Sequence, residues 1–358
     1  MTQIRALRRE DIPQVVALYR SHLAWPHYAD REELVAGFAR IFLGRPLSDP
    51  DVPSLVLEGA GGQVQGFLGS LVHRMQFDHR QVRLACSSSL VVAPQARQLG
   101  GGAFLLRKYL AGPQDLTITD TAGGPTEIMW KRLGGATDAL ASMTWLYPIH
   151  PLRMAAGIGL WRLGRYRWLP LARPLCRPLD AAYARWISSD VPKDGDRMSE
   201  EPLSPQLLID HLCMGSERAR LWPDYDPASL DQRFAEIGSA GAKGRIVKSF
   251  VRGPRGEPVG WYMLYLLPSE ICYVLHLAPA PKKEQILLNH VLRKARQLKV
   301  AAISGRLAPW LLEVLPSRVI MFSRVKFLYH SRDDAIRDAV RSGQAVVTGL
   351  EGDIWMPS

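Results

Sequence analysis

The chain has 358 residues, 47% of them hydrophobic and 22% charged, with a formal net charge of +11. That balance excludes wholesale disorder and suits two domains of roughly 150 residues, each able to bury its own core. Cys86, Cys176, Cys213 and Cys272 lie far apart, with no CxxC pair and no Cys/His cluster, which argues against a zinc site or a disulfide framework. A reducing cytoplasm is the default compartment. The opening MTQIRALRRED has no apolar signal core, and no run approaches the roughly 18 apolar residues of a bilayer span. The positive charge is mostly arginine spread along the chain, and it bears on solubility and on association with anions.

In chain order, a short strand is expected at Gln3–Leu7, with Asp11 as N-cap and Pro13 in the first turn of the helix that follows. A second helix spans about Arg31–Phe42. The period then changes to that of strands, at Ser54–Glu58, Val64–Met75 and Gln81–Val92. Pro94 breaks the third, a glycine cluster follows, and Ala103–Leu110 reads as a helix. Asp115–Thr121, Pro125–Leu133 and Ala139–Tyr147 read as strand, helix and strand. The order is that of a mixed α/β layer with hairpins early and a crossover late.

The segment with clear chemistry runs from Leu90-Val91-Val92 through Pro94 and Arg97-Gln98-Leu99-Gly100-Gly101-Gly102 to Ala103. Arg97-x-x-Gly100-x-Gly102 places glycines where a strand must turn into a helix. Such a loop can aim several N–H groups at one point, and the helix N-terminus behind it adds unpaired amides and a favourable dipole. Chemically, that is a cradle for a pyrophosphate. A tight structural turn would use the same glycines.

Residues 3–147 resemble the GNAT (Gcn5-related N-acetyltransferase) superfamily in element order, and Val92–Ala103 resembles its coenzyme A motif, Q/R-x-x-G-x-G/A. Ile4–Asp11 looks like the family's first strand and helix entry, and Met129–Gly135 like its later helix. The resemblance implies that the backbone of Val91 and Val92 and of Arg97, Gln98, Leu99, Gly100, Gly101, Gly102 and Ala103 holds the pantetheine arm and pyrophosphate of acetyl-CoA or another acyl-CoA. It implies no metal. A splayed gap beside Leu90–Val92 would receive the thioester.

Two departures matter. Many members place a tyrosine in the late helix to protonate the departing thiolate, and here Trp130 occupies that place, without a useful acid. The glutamate base often found on the central strand is absent from Cys86-Ser87-Ser88-Ser89. Asp120 and Ser88 are the replacement candidates, with His73 and Glu127 behind them. Each also has an ordinary role: Asp120 capping a turn, Glu127 favoured by the helix dipole, His73 on a strand surface, the serines bonding locally. Cys86 as an acyl-carrying nucleophile would need a base close by.

The stretch 150–187 carries seven arginines against one acid, Asp180, interleaved with tryptophan and tyrosine. Pro170, Pro174 and Pro178 are expected to divide it into short pieces. It reads first as an interdomain connector, with contact to an anionic membrane surface or to RNA as the open alternatives. Ser188–Pro205 reads as a polar linker.

The second half repeats the rhythm of the first. Helices are expected near Pro205–Gly215, Ala228–Ile237, Lys282–Leu298 and Pro309–Leu315, and strands at Arg245–Arg252, Val259–Leu267, Glu270–Leu277, Val300–Gly305, Phe322–Tyr329 and Ala345–Thr348. Its counterpart of the phosphate loop, Leu277-Ala278-Pro279-Ala280-Pro281-Lys282-Lys283, lacks glycine, and its prolines lack amides. His276 and Tyr273 are candidates to face an acceptor site.

The expected fold is therefore α/β, two GNAT-like domains each built on a mixed, mostly antiparallel sheet flanked by helices. The boundaries expected are 1–149, 150–202 for connector and linker, and 203–358 for a degenerate copy. The resemblance implies an N-acyltransferase moving an acetyl or other short acyl group from acyl-CoA to an amine of a small molecule or peptide. A FemAB-like aminoacyl-tRNA-dependent transferase and a non-catalytic acyl-CoA-binding protein are the alternatives.

Overall fold

In the computed structural model, the structure describes residues 3–22, 31–44, 46–163, 165, 168–186, 198–216, 219–239, 244–267 and 269–353. In chain order the elements are β1 (Gln3–Ala6), α1 (Ile12–His22), α2 (Arg31–Leu43), β2 (Leu55–Glu58), β3 (Val64–Phe77), β4 (Arg80–Val92), α3 (Pro94–Gln98), α4 (Gly101–Leu110), β5 (Leu116–Ala122), α5 (Gly124–Arg132), β6 (Ala136–Asp138) and β7 (Thr144–Pro148). Then come α6 (Pro151–Arg162), α7 (Leu169–Trp186), β8 (Ser199–Pro202), α8 (Pro205–Asp210), β9 (Leu221–Pro223), α9 (Pro227–Ser239), β10 (Arg245–Arg252), β11 (Pro258–Leu266) and β12 (Ile271–Pro279). The last are α10 (Glu284–Gln297), β13 (Ala302–Arg306), α11 (Leu311–Val314), β14 (Ile320–Phe322), β15 (Lys326–His330) and α12 (Asp334–Arg341).

Two mixed sheets result. The first runs β1-β2-β3-β4-β5-β15-β6, with β9 on the far end of β3, and the second β14-β7-β13-β12-β11-β10-β8. Each has one parallel pair, β4 with β5 and β12 with β13, and every other pairing is antiparallel. In both, a three-strand meander leads into a helix that crosses over to the parallel strand. Central strands buried on both faces along most of their length, β3, β4, β5 and β11 among them, and amphipathic helices build the cores. α2 buries Leu34, Phe38, Ile41 and Phe42 along one stripe, and Phe38 meets Tyr19 of α1 edge-on at 5.1 Å. α10 buries Leu287, Leu288, Val291, Leu292 and Ala295 against the second sheet's core, with Trp145, Tyr262 and Ile303.

The chain divides into interleaved units: Met1–Ala139 with Ala219–Tyr225 and Val325–Ser358, and Leu140–Arg218 with Asp226–Arg324. This differs from the contiguous boundaries expected at 149 and 202, and the cause is strand placement. The segment read as one strand, Ala139–Tyr147, is a turn over its first half and only its second half is strand: β6 ends at Asp138 in the first sheet, and after the turn β7 pairs with β13 in the second. Likewise Phe322–Tyr329 splits into β14, on β7, and β15, between β5 and β6.

Other expectations also need correction. Asp11 is no N-cap: its carboxylate accepts from the Arg8 amide at 2.8 Å and from both terminal nitrogens of Arg5, at 2.7 and 2.9 Å. Ala345–Thr348 makes only an isolated bridge, Leu221 to Ala345. Within Ser188–Pro205, residues 188–197 lie outside the described residues, while Ser199–Pro202 forms β8 and pairs with β10. α7 is a single helix that runs through Pro174 and Pro178. Both prolines are exposed, so the carbonyls that lose their i→i−4 partners lie on the solvent side.

Candidate active site

The first sheet opens at one place. β4 and β5 pair in parallel only over Leu84–Cys86 and Leu116–Ile118. Beyond them β4 continues along β3, but Phe67 pairs with Val91 and Gly69 with Ser88, so Leu68 alone faces Ser89 and Leu90. This is a β-bulge, with Ser89 at φ 56°, and it bends β4 away from β5. A wedge opens between the two strands, with Ser88 and Ser89 on one wall and Asp120 and Thr121 on the other. The pairing of β4 with β5 thus ends before Leu90–Val92, beside which the gap is expected.

At the end of β4 the chain turns into α3 and α4. Gly100 lies at φ 81°, ψ 15°, a left-handed position that suits glycine, and its carbonyl accepts the Phe104 amide at 3.1 Å. Gly101 opens α4, two residues before the expected helix start. A Cβ there would lie 2.7 Å from Leu57 Cδ2 and 2.9 Å from the Ala96 carbonyl oxygen, so close packing demands glycine. At Gly102 a Cβ would meet only Val92 and Met129 at ordinary contact distances. The amides of Gly101, Gly102 and Ala103 are the first three of a ten-residue helix whose N-cap supplies no side-chain bond. Unpaired amides at a helix N-terminus suit an anion. Arg97 Nη2 donates to the Val92 carbonyl at 3.1 Å, tying the strand end to the loop. Leu99 and Phe104 stay exposed beside it.

A third segment, Glu351–Asp353, completes the wedge. The Asp353 carboxylate accepts from Ser88 Oγ on β4 and from Thr121 Oγ1 on β5 at 3.0 Å, and its amide donates to Asp120 Oδ1 at 3.0 Å. Ser88 and Ser89 hydroxyls are 3.1 Å apart. Burial raises the Tyr19 phenol well above its ordinary range; the Asp353 charge raises it too, and a hydrogen bond with Ser89 opposes. A Cβ at Gly352 would collide with Asp120 Oδ2, so the turn approaches β5 closely. Glu351, fully buried, anchors it by accepting from the Thr348 amide at 2.8 Å, from Thr348 Oγ1 at 2.9 Å and from Tyr225. Asp120 and Ser88 are thus brought together, through a residue that sequence reasoning missed. No local signal marks Asp353, which lies 265 positions from Ser88.

The remaining candidates have structural places. Trp130 is fully buried, and its Nε1 donates to the Tyr329 carbonyl at 3.1 Å. Glu127 accepts from Thr137 Oγ1 at 3.0 Å and Lys131 Nζ at 2.8 Å, and Lys131 first, then Thr137, holds its carboxyl below the usual range. His73 is buried in β3 and not on a strand surface. Cys86 is fully buried.

In the second sheet, β12 and β13 part after Val274 and Gly305, and β12 carries its own register shift opposite Met263–Leu264. The loop that follows is unlike the first. Pro279 and Pro281 have no amide, and the amides of Ala280, Lys282 and Lys283 are used by Val259 O, Glu284 Oε1 and Ala280 O. His276 stacks on Trp261 at 4.8 Å, and burial pushes it down to about 4, while Tyr273 is partly exposed. Among the described residues no group of His, Cys, Asp and Glu could hold a metal ion.

No protein-family model matches the chain, and no curated protein matches it in sequence. Solved structures do match in fold. A GCN5-related N-acetyltransferase from Anabaena variabilis aligns at TM-score 0.57 and 10% identity, over 93% of this chain and 74% of that one. A probable N-acyltransferase from Enterococcus faecalis aligns at TM-score 0.58 and 9% identity, over 92% and 72%. Saccharomyces cerevisiae N-myristoyltransferase, solved with myristoyl-CoA, aligns at TM-score 0.51 and 10% identity, over 92% and 82%. At these identities the likeness is one of fold, and the fold is that of the GNAT proteins.

Proposed function

We propose that the first unit binds an acyl-CoA and transfers its acyl group to an amine of a small molecule or peptide. The observation that carries this is the juxtaposition of a bulge-opened wedge with a glycine-turned helix N-terminus at the end of the same strand. Such a pairing offers amides for a pyrophosphate and, one strand-length away, a polar gap for the thioester. Val91 and Val92 would line the pantetheine arm, and Gly101, Gly102 and Ala103 the phosphates. Arg97, Gln98 and Leu99 would shape the loop, with the Arg97 guanidinium bracing Val92 in place.

Asp353 would act as the base, a reading supported by its contacts with Ser88 and Thr121. It would accept a proton from the ammonium of the acceptor; the freed amine nitrogen attacks the thioester carbonyl, the C–S bond breaks, the nitrogen sheds its extra proton as the amide forms, and the thiolate leaves with that proton, relayed through a hydroxyl. Hydroxyls of Ser88, Ser89 and Tyr19 are the donors grouped there for that proton, and Asp120 orients the Asp353 backbone. The second unit reads as a degenerate copy without a phosphate loop, since its counterpart amides are missing or already bonded. The cytoplasm suits these roles, and among the described residues no helix is long and apolar enough to cross a membrane.

Calorimetry with coenzyme A tests the reading on the full chain. The unmodified protein and Gly102→Ala should both bind, because a methyl fits at Gly102, while Gly102→Asp should lose binding through charge at the phosphate position. Equal affinity in a folded Gly102→Asp protein would overturn the site. Binding without turnover across an amine series would favour the non-catalytic acyl-CoA-binding alternative.

A further inference from the structure

The α6–α7 hairpin is not used by the acyl-transfer reading, and its two sides differ sharply. The inner side is accounted for. Leu169 and Asp180 are buried, and Tyr183 packs against the second core. Asp180 accepts from the Leu152 and Arg153 amides at 2.9 and 3.2 Å, capping α6. Arg153 Nε and Arg173 Nε donate to Glu270 at 3.0 and 2.6 Å, beside a cleft of about 1150 Å³ that Arg177 also lines.

The outer side has no such account. Leu171, Leu175 and Leu179 are 69%, 82% and 65% exposed, and Leu163 and Trp168, in the turn between the helices, are 70% and 61% exposed. At 100° per residue the three leucines of α7 fall within about 80° of one another, so they form one continuous row. Pro174 and Pro178 border that row, and the exposed Arg162 and Arg165 lie at the end that carries Leu163 and Trp168. A connector needs only the inner side, and three leucines aligned in water call for a cover.

We propose that this face docks on an anionic lipid bilayer, with the leucine row in the headgroup–acyl boundary and Trp168, Arg162 and Arg165 in the headgroup zone. Charge selects the partner: Arg162 and Arg165 are exposed beside Leu163 and Trp168, whereas the acids of the inner side are occupied, Asp180 by the Leu152 and Arg153 amides and Glu270 by Arg153 and Arg173. A second copy of this chain would bring the same positive charge to the interface. RNA is a poorer fit, because the row is built of leucines, which give bases no stacking surface. The proposal is independent of the acyl-CoA site.

The test is co-sedimentation of the full chain with vesicles of phosphatidylcholine containing one-third phosphatidylglycerol, and with vesicles of phosphatidylcholine alone. Binding to the anionic vesicles is expected. The triple variant Leu171→Ser, Leu175→Ser, Leu179→Ser should bind at least tenfold more weakly, with coenzyme A affinity and melting temperature unchanged. Arg162→Gln with Arg165→Gln should weaken binding roughly tenfold at low salt, with little further effect at high salt. Absence of binding by the unmodified protein, or undiminished binding by a folded leucine variant, overturns the proposal. So does a dimer that the leucine variant dissolves, or a gel shift with RNA that the leucine variant abolishes.

Discussion

Asp353→Asn keeps the shape of the side chain and removes its charge, so it separates chemistry from scaffolding at the wedge. The carboxylate accepts from Ser88 Oγ and Thr121 Oγ1. Hydrogen bonds to a charged acceptor contribute about 1.5–3 kcal/mol each and neutral ones about 0.5–1.5. An amide retains one oxygen acceptor, so the stability cost should be about 1–3 kcal/mol, within the roughly 5–15 kcal/mol of a typical domain. Removing a general base costs about 10²–10⁴ in rate, or on the order of 3–5 kcal/mol of barrier. The assay is thiol release from acetyl-CoA with a panel of amines, alongside calorimetry with coenzyme A. Turnover should fall at least a hundredfold while coenzyme A still binds, and the acidic limb of the kcat/KM profile should disappear. A variant that binds coenzyme A and keeps turnover within about threefold of the parent would refute the role assigned to Asp353.

Trp130→Phe should keep most turnover and lower the melting temperature by a few degrees, since it leaves the Tyr329 carbonyl without its indole partner; a collapse of kcat with binding intact would contradict that. Gly101→Ala should destabilise the fold by about 1–3 kcal/mol through overlap with Leu57 and Ala96, whereas Gly102→Ala should be nearly silent in thermal denaturation. Glu200 of β8 gives a pH test: burial pushes its carboxyl up, but bonds from His290, Lys294 and Tyr262 outweigh that and hold it at about 2, below the ordinary 4.5. Because the folded value is the lower one, this stabilisation is present above pH 4.5 and fades as pH falls toward 2, reduced by solvent screening because Glu200 is exposed. The melting temperature of Glu200→Gln should therefore sit below the parent's at pH 6 and converge with it near pH 2, and parallel curves would count against the network.

Much of the first sheet was legible because its strands are bounded by turn residues and its helices keep clear apolar stripes, as at Leu34, Phe38 and Ile41. The loop at Arg97–Gly102 was legible for the same local reason: Gly100 answers a backbone demand and Gly101 a packing demand that both leave glycine in the sequence. Sheet membership was not legible. Residues 139–147 and 322–329 show continuous strand-like pattern, and nothing in a period of two says which sheet a strand will join. The prolines of α7 misled because a proline removes a single backbone bond, which an exposed helix side can forgo. Asp353 was invisible for a different reason. A lone aspartate becomes a site residue only through the fold that carries it to Ser88.

The exchange of β7 and β15 ties the timing of function to the synthesis of the chain. The sheet that holds the wedge lacks β15 until residue 330 has emerged, and the wedge lacks its carboxylate until residue 353 has. A nascent or prematurely terminated chain could display the glycine loop, yet it would hold a sheet open between β5 and β6 and a wedge without Asp353. On the proposed reading, transfer requires the segment that carries Asp353 as well as the glycine loop. On the same reading, limited proteolysis that removes Val325–Ser358 should silence transfer as completely as the loss of the glycine loop.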